Sequence, residues 1–361
     1  MKKMNRLFTT LLAVALLGGL TACQSNPGSG ASSSESGSST SAGASGSSSP
    51  TPGSGAAKTV RIGFVDSGNA FPSDVLGIAI DEGYLEEELA SRGYVAETIP
   101  FVAAGPALNE ALVSNSVDIV ITGDVPAVIG KSNGVDTTFI AGEIGINEPA
   151  LMVPADSALK DITELKGKKV ATLTGSYMHK VLVNMLEANG MTVNDIQFVN
   201  LSSPDAAAAL VSGSVDAAML AHTQYAALAN SGDAKALLKG SDNLPDWNGS
   251  HAILAKTDYL KDNKDAAVGF LAALLRGNAF AKENKDASVA ILGKSGAPAE
   301  AIEFLWPGDF DFNLSVGEDA INTYTQVNDF LVANKLTTKD VAIAGWADST
   351  YYDEAASSLA K

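Results

Sequence analysis

The stretch ALVSNSVDIVI occupies residues 111–121, and 98 positions later the chain reads ALVSGSVDAAM at 209–219. Seven letters are identical: Ala111/Ala209, Leu112/Leu210, Val113/Val211, Ser114/Ser212, Ser116/Ser214, Val117/Val215 and Asp118/Asp216. A repeated phrase of this length constrains the fold strongly, because it asks for two halves assembled by the same rules. In each copy Leu and Val suit a helix packing on a core. Asn115 or Gly213 suits a tight turn, and the letters that follow read as a buried strand. The Asp after the second Val reads as a turn or strand-start residue, with no catalytic part.

The flanks extend the likeness. In the first half, Val60–Val65 is a β-type run that ends in a turn-rich loop, Asp66–Pro72. Val75, Leu76, Ala79 and Ile80 then carry a helical period. A short helix is expected to about Arg92, a strand over Ala96–Val102, and a helix opening at Ala104-Gly105-Pro106. The strand Val117–Ile121 follows, and Thr122-Gly123-Asp124-Val125-Pro126 comes directly after it. In the second half, Lys169–Leu173 is a strand, followed by Thr174-Gly175-Ser176-Tyr177. A helix is expected over Met178–Ala188, with Gly190 ending it. A strand over Ile196–Leu201, a helix to Val211 and a strand over Val215–Leu220 complete that half. Strands alternating with helices predict an α/β chain of two lobes, each a mostly parallel sheet flanked by helices, with a cleft between them. Ala252–Ala255 reads as a strand returning to the first lobe. Helices are expected over 264–283, 286–294, 298–305 and 317–334.

The ends carry different information. Lys2, Lys3 and Arg6 precede a short apolar run, Leu7–Leu20, and Leu20-Thr21-Ala22 leads into Cys23, the chain's single cysteine. Residues 1–22 read as a signal peptide. Cys23 after small residues resembles a bacterial lipidation site, so 23–57 is expected to be a lipidated Cys followed by a disordered Ser/Gly-rich tether. As a random coil such a tether spans roughly 30 Å. The remainder is long enough for two cores and divides into a first lobe over 58–147, a second over 148–246, and a return over 247–361. The formal charge of −17 makes nucleic acid and anionic lipid poor partners.

Seven phrases in order carry a resemblance. They are Val60-Arg61-Ile62-Gly63; Gly83-Tyr84-Leu85-Glu86-Glu87-Glu88; the run Gly105–Leu112 with Val117-Asp118-Ile119 and Thr122–Pro126; Leu165-Lys166-Gly167-Lys168-Lys169-Val170-Ala171; Gly175-Ser176-Tyr177-Met178-His179; Pro204–Leu210; and Val215-Asp216-Ala217. Together the sequence resembles the solute-binding proteins of ABC importers, within the aliphatic sulfonate, taurine and nitrate-binding family (NMT1/THI5-like). The resemblance implies a periplasmic-binding-protein type II fold. It also implies a lipid-anchored extracytoplasmic monomer that captures a small organic acid or zwitterion by lobe closure. The partners it implies are a membrane permease and, through it, an ATPase subunit. One departure stands out: where the family carries two Trp after the second repeat, this chain has Ala218 and Ala221, followed by His222-Thr223-Gln224-Tyr225.

In open α/β sheets ligands bind beyond the carboxyl ends of strands, at helix N-termini. That rule selects loops 66–71, 122–126, 174–178 and 221–224. The candidate ligand-binding residues are Ser67, Gly68, Asn69, Thr122, Gly123, Asp124, Gly175, Ser176, Tyr177, His222 and Thr223, with Trp247 from the return crossover. Gly175-Ser176-Tyr177 opens a helix whose free amides favour an anion, or Ser176 simply caps its own helix. Asp66 and Asp124 either face a ligand amine or serve as turn residues. His222 is expected to supply a hydrogen bond, or a charge near neutral pH. A zinc site from His179, His222 and His251 has no supporting spacing, so neither metal nor cofactor is expected. No nucleophile–base pattern or P-loop appears, and the chain is not expected to be an enzyme. The alternatives are an enzyme on the same scaffold, of the pyrimidine-precursor-synthase kind, and a sensor lipoprotein without a transporter.

Overall fold

The computed structural model describes residues 57–66, 69–102, 104–243, 247–306, 310–337 and 339–360. The expected signal peptide, Cys23, the tether up to residue 56, Ser67 and Gly68 lie outside them. The strands are β1 (Lys58–Val65), β2 (Tyr94–Phe101), β3 (Ile119–Gly123), β4 (Thr137–Asn147), β5 (Pro149–Pro154), β6 (Lys169–Thr172), β7 (Gln197–Asn200), β8 (Ala217–Ala221), β9 (Ala234–Lys239), β10 (Gly249–Lys256) and β11 (Leu314–Ser315). The first helices are α1 (Val75–Asp81), α2 (Tyr84–Ala90), α3 (Ala104–Val113), α4 (Asp124–Ser132), α5 (Tyr177–Ala188), α6 (Ser203–Val211) and α7 (His222–Ser231). They are followed by α8 (Thr257–Asp262), α9 (Lys264–Glu283), α10 (Lys285–Leu292), α11 (Ala299–Leu305), α12 (Glu318–Ala333), α13 (Ile343–Trp346) and α14 (Thr350–Leu359).

These strands form two sheets, ordered β11-β4-β10-β3-β1-β2 and β7-β6-β8-β5-β9. Both are mixed, which corrects the expectation of mostly parallel sheets. In the first, β1 runs parallel to β2 and β3, but β10 runs against β3 and β4, and β11 against β4. In the second, β6 is parallel to β7 and β8, while β5 opposes β8 and β9. Each parallel trio is built by helical crossovers that return the chain to the same end of its sheet. The strands that carry the chain between sheets, β5 outward and β10 back, enter from the opposite end.

Helices cover both faces. One core lies between the first sheet and α1, α2 and α9, where Val75, Leu76, Ile78, Phe270 and Leu274 are wholly buried. The opposite face packs on α3, α4 and α12, and Val183 of α5 joins that core from the second lobe. The second sheet is covered by α5 on one face and by α6 and α7 on the other.

The repeated phrase builds the same corner twice. Asn115 and Gly213 both take the left-handed backbone, at φ 60° and 72°. Ser116 N donates to Ala111 O, and Ser214 N donates to Ala209 O. Asp118 N donates to Arg61 O while Asp118 Oδ2 accepts Arg61 N, at 2.8 and 3.0 Å. Asp216 N donates to Lys169 O while Asp216 Oδ2 accepts Lys169 N, at 2.9 and 2.8 Å. Each Asp therefore clamps the start of the neighbouring parallel strand. The two copies differ in burial: the Asp118 side chain is 5% exposed and also binds the Arg61 guanidinium, whereas Asp216 is 41% exposed. Asp118→Ala should therefore cost about 2 kcal/mol or more, and Asp216→Ala about 1 kcal/mol or less. Urea unfolding of the two variants checks this, and a larger loss in Asp216→Ala would overturn it.

Candidate functional site

The carboxyl ends of β1, β3, β6 and β8 lead into α1, α4, α5 and α7. At this end the two lobes touch. Lys180, one turn into α5, places Nζ 2.9 Å from Asp124 Oδ2 at the first residue of α4. Both side chains are buried, at 5% and 1% exposure. The ammonium also donates to Asn248 O, and Ser250 N donates to Asp124 Oδ2, at 3.2 and 3.3 Å. Asp124 is thus paired with a cation of the other lobe. Tyr177, the first residue of α5, rests on Gly249, where an added Cβ would come 2.6 Å from the ring. Burial, and secondarily the Asp124 charge, push the Tyr177 hydroxyl well above its ordinary range.

Beneath this contact lies a second polar group. His251 on β10 is paired in register with Glu143 on β4, and its Nδ1 lies 2.6 Å from Glu143 Oε2. Asp74, which caps α1 by accepting Leu76 N, completes the group. Burial, then the neighbouring Glu143, raise the Asp74 carboxyl to about 7. On the second lobe, Tyr225 donates its hydroxyl to Glu148 Oε2 at 2.7 Å, and Glu148 Oε1 accepts Ser241 N. His222 opens α7 with Nδ1 buried and without a partner. Burial, and then the His251 charge, lower it to about 4. At neutral pH this favours the uncharged imidazole.

The remaining expected residues fall as follows. Gly175 takes φ 73° and precedes α5, and its N–H donates to His179 Nδ1. Ser176 caps α5 by accepting the His179 amide, so the capping alternative holds for its hydroxyl. Asp66 accepts the amides of Asn69 and Ala70, the behaviour of a turn residue. Asn69 Nδ2 donates to Lys294 O, away from the interlobe contact. Gly123 occupies the N-cap position of α4. Thr122 Oγ1 is buried without a partner on the α3 side of the sheet. Thr223 Oγ1 donates to Gln224 Oε1. Trp247 is 8% exposed and packs in the second-lobe core, at the wall of a groove of about 470 Å³ between α5 and α12. His179 packs between Phe198 and Phe330, with centroids 5.0 and 5.4 Å away, which leaves it outside any three-histidine site.

Sequence reasoning missed Lys180, Asp74, Glu143, Glu148 and Tyr225. A signal existed for two of them. Glu143 is a lone carboxylate within a mostly apolar run, and Lys180 sits among the inward positions of an amphipathic helix.

With this geometry in place, the comparisons are informative. The family described as "NMT1/THI5 like" matches residues 102–288. Over 223 residues, 60% of this chain, the sequence is 31% identical to a protein of Escherichia coli (strain K12) whose name describes it as aliphatic sulfonates-binding, and it covers 68% of that protein. The periplasmic aliphatic sulphonate binding protein SsuA from Escherichia coli superposes with TM-score 0.69 at 27% identity, covering 80% of this chain and 91% of that one. The desulfurization enzyme DSZB superposes with TM-score 0.67 at 15% identity, over 84% of this chain and 99% of that one. That second likeness is one of fold alone. Among the described residues no helix is long and apolar enough to cross a membrane.

Proposed function

The chain belongs to the NMT1/THI5-like family, and from that premise we propose that it is the extracytoplasmic solute-binding component of an ABC importer. It takes a small organic acid or zwitterion of the sulfonate, taurine or nitrate kind between its lobes. Closure follows because only the closed form lets both lobes touch the solute at once. The closed protein then docks on a permease, whose ATPase subunit drives uptake. A signal peptide over 1–22 exports the chain, and a lipid on Cys23 holds it as a monomer at the membrane through the 23–57 tether.

The observation that carries this reading is the buried Asp124–Lys180 pair, which joins the lobes where strand ends and helix N-termini converge. The acid group of the solute is received at the start of α5. There the amides of Tyr177 and Met178 precede the capped His179 amide at the helix's positive end. Gly175 has no side chain to obstruct the approach. His222 and Thr223, at the corresponding start of α7, add neutral hydrogen-bonding groups. We assign Gly123 and Trp247 supporting parts in the same site, from the first lobe and the crossover.

Calorimetry and thermal shift with alkanesulfonates, taurine, nitrate, amino acids and pyrimidines, all in chelator, test the proposal. One acid or zwitterion class should bind stoichiometrically. At a hundredfold excess over Kd it should stabilise the fold by about 2.7 kcal/mol. Ser176→Ala combined with His222→Ala should weaken that solute by tenfold or more, and an unchanged affinity would remove the assigned site. The fold also carries an enzyme, so the same samples are assayed for product. Turnover of any panel compound would replace the binding reading.

A further inference from the structure

We propose that Asp74, Glu143 and His251 form a divalent transition-metal site in the first lobe. The proposal goes beyond solute capture and does not depend on the identity of the solute.

Three donor atoms, one from each residue, lie within 4.8 Å of one another. They come from the N-cap of α1, from β4 and from β10, so no local sequence effect gathers them. Each carboxylate has one oxygen engaged by backbone. Glu143 Oε1 accepts Val75 N at 3.1 Å, and Asp74 Oδ1 accepts Leu76 N at 3.0 Å. These bonds orient the carboxyl groups. The second Glu143 oxygen faces His251 Nδ1. The other imidazole nitrogen, Nε2, lies 2.9 Å from Asn147 Nδ2. A flip of the Asn147 amide, exchanging Nδ2 for Oδ1 at this position, lets Asn147 accept the Nε2 proton and leaves Nδ1 to ligate an ion. Outer partners that fix ring and carboxylate in this way are the usual support of a metal site.

Charge and access point to a small ion. Among the described residues no Lys or Arg pairs with Asp74 or Glu143, and the nearby Lys180 is committed to Asp124. Two carboxylates therefore face one imidazole. Glu143 is wholly buried and Asp74 is 5% exposed, so an organic ammonium on a carbon chain cannot reach both. The His251 side chain is 20% exposed and provides the entry edge for an ion. His222 Nδ1, at the start of α7, is buried without a hydrogen-bond partner, although His222 is not among the three residues whose donor atoms converge. Carboxylate and imidazole donors in this number suit zinc and its first-row neighbours. Binding the cation displaces the proton shared by His251 Nδ1 and Glu143 Oε2 into solvent.

The test uses the untagged full chain, stripped with chelator and dialysed. Zn²⁺ should bind one ion per chain with release of a proton, read by calorimetry in buffers of different ionisation heat. Asp74→Asn and His251→Gln should each weaken Zn²⁺ by tenfold or more. Glu143→Gln should weaken it by a similar factor. The Co²⁺ form of the wild-type protein decides the matter without any variant. Intense visible bands of a four- or five-coordinate, imidazole-ligated ion are expected. A pale six-coordinate spectrum, absence of Zn²⁺ binding, or full Zn²⁺ affinity in His251→Gln would overturn the proposal. Because solutes are titrated in chelator, failure here and failure of solute capture are read separately.

Discussion

Replacing Lys180 with Met should destabilise the protein by about 3–5 kcal/mol, because it leaves a carboxylate buried without its counter-charge. Asp124 is 1% exposed, and among the described residues only the amides of Val125 and Ser250 would remain to solvate it. The ion pair itself adds little net stability, since burying two charges offsets most of their attraction. The penalty arises from breaking one side. Asp124→Asn added to Lys180→Met should therefore recover more than half of the loss, as the residual charge disappears. Urea unfolding measures both. A loss below about 1 kcal/mol in the single variant would mean that Asp124 finds water or another cation. The pair also ties α4 of the first lobe to α5 of the second. Small-angle scattering of Lys180→Met should accordingly show a larger radius of gyration than wild type.

Acid should expose the burial of His222. Its folded pKa is about 4 against an ordinary 6.5. Between those values the unfolded chain holds a proton that the folded chain does not, so stability rises with pH across that window. Moving from pH 6.5 to about 4 should remove about 3 kcal/mol of the stability of wild type relative to His222→Gln, which cannot titrate there. The comparison with the variant is needed because Asp74 acts in the opposite direction. Raised to about 7, it binds a proton in the folded state first and favours folding as pH falls. That contribution is common to both proteins and cancels in the difference. Urea unfolding of both proteins at several pH values, in chelator, gives the result. A pH-independent difference would show that the imidazole is solvated.

Much of the architecture was legible in the letters. The turns at Asn115 and Gly213, the helix stop near Gly190 and the long helices after Leu260 are local matters. Backbone preference and apolar period decide them within a few residues. The repeated Asp was also read correctly as a strand-start residue, although its clamp on Arg61 or Lys169 needed the neighbouring strand to be seen. The direction of β10 was not legible, because a strand's apolar run is the same whichever way it is threaded, and β5 and β9 were not anticipated. Strand β4 was overlooked: its glycines, Gly142 and Gly145, and Glu143 dilute the alternation, and Gly142 is required where His251 O approaches within 2.9 Å of a would-be Cβ.

The site divides along the same line. The helix start at Ser176 could be placed from sequence, because a cap is a short-range feature, whereas α7 was not anticipated. Which charges meet could not. Lys180 and Asp124 are 56 residues apart, and Glu143 and His251 are 108 apart. Residue type alone left Asp124 as a free carboxylate and His222 as a possible cation. By itself, then, the sequence determined two α/β halves, their corners and the loops at their carboxyl ends, since propensity and periodicity act between near neighbours. Only the tertiary structure decided the electrostatics of the space between the lobes. Burial and the long-range juxtaposition of charges set which groups are ionised, paired or left open, and neither quantity exists until the two sheets are brought together.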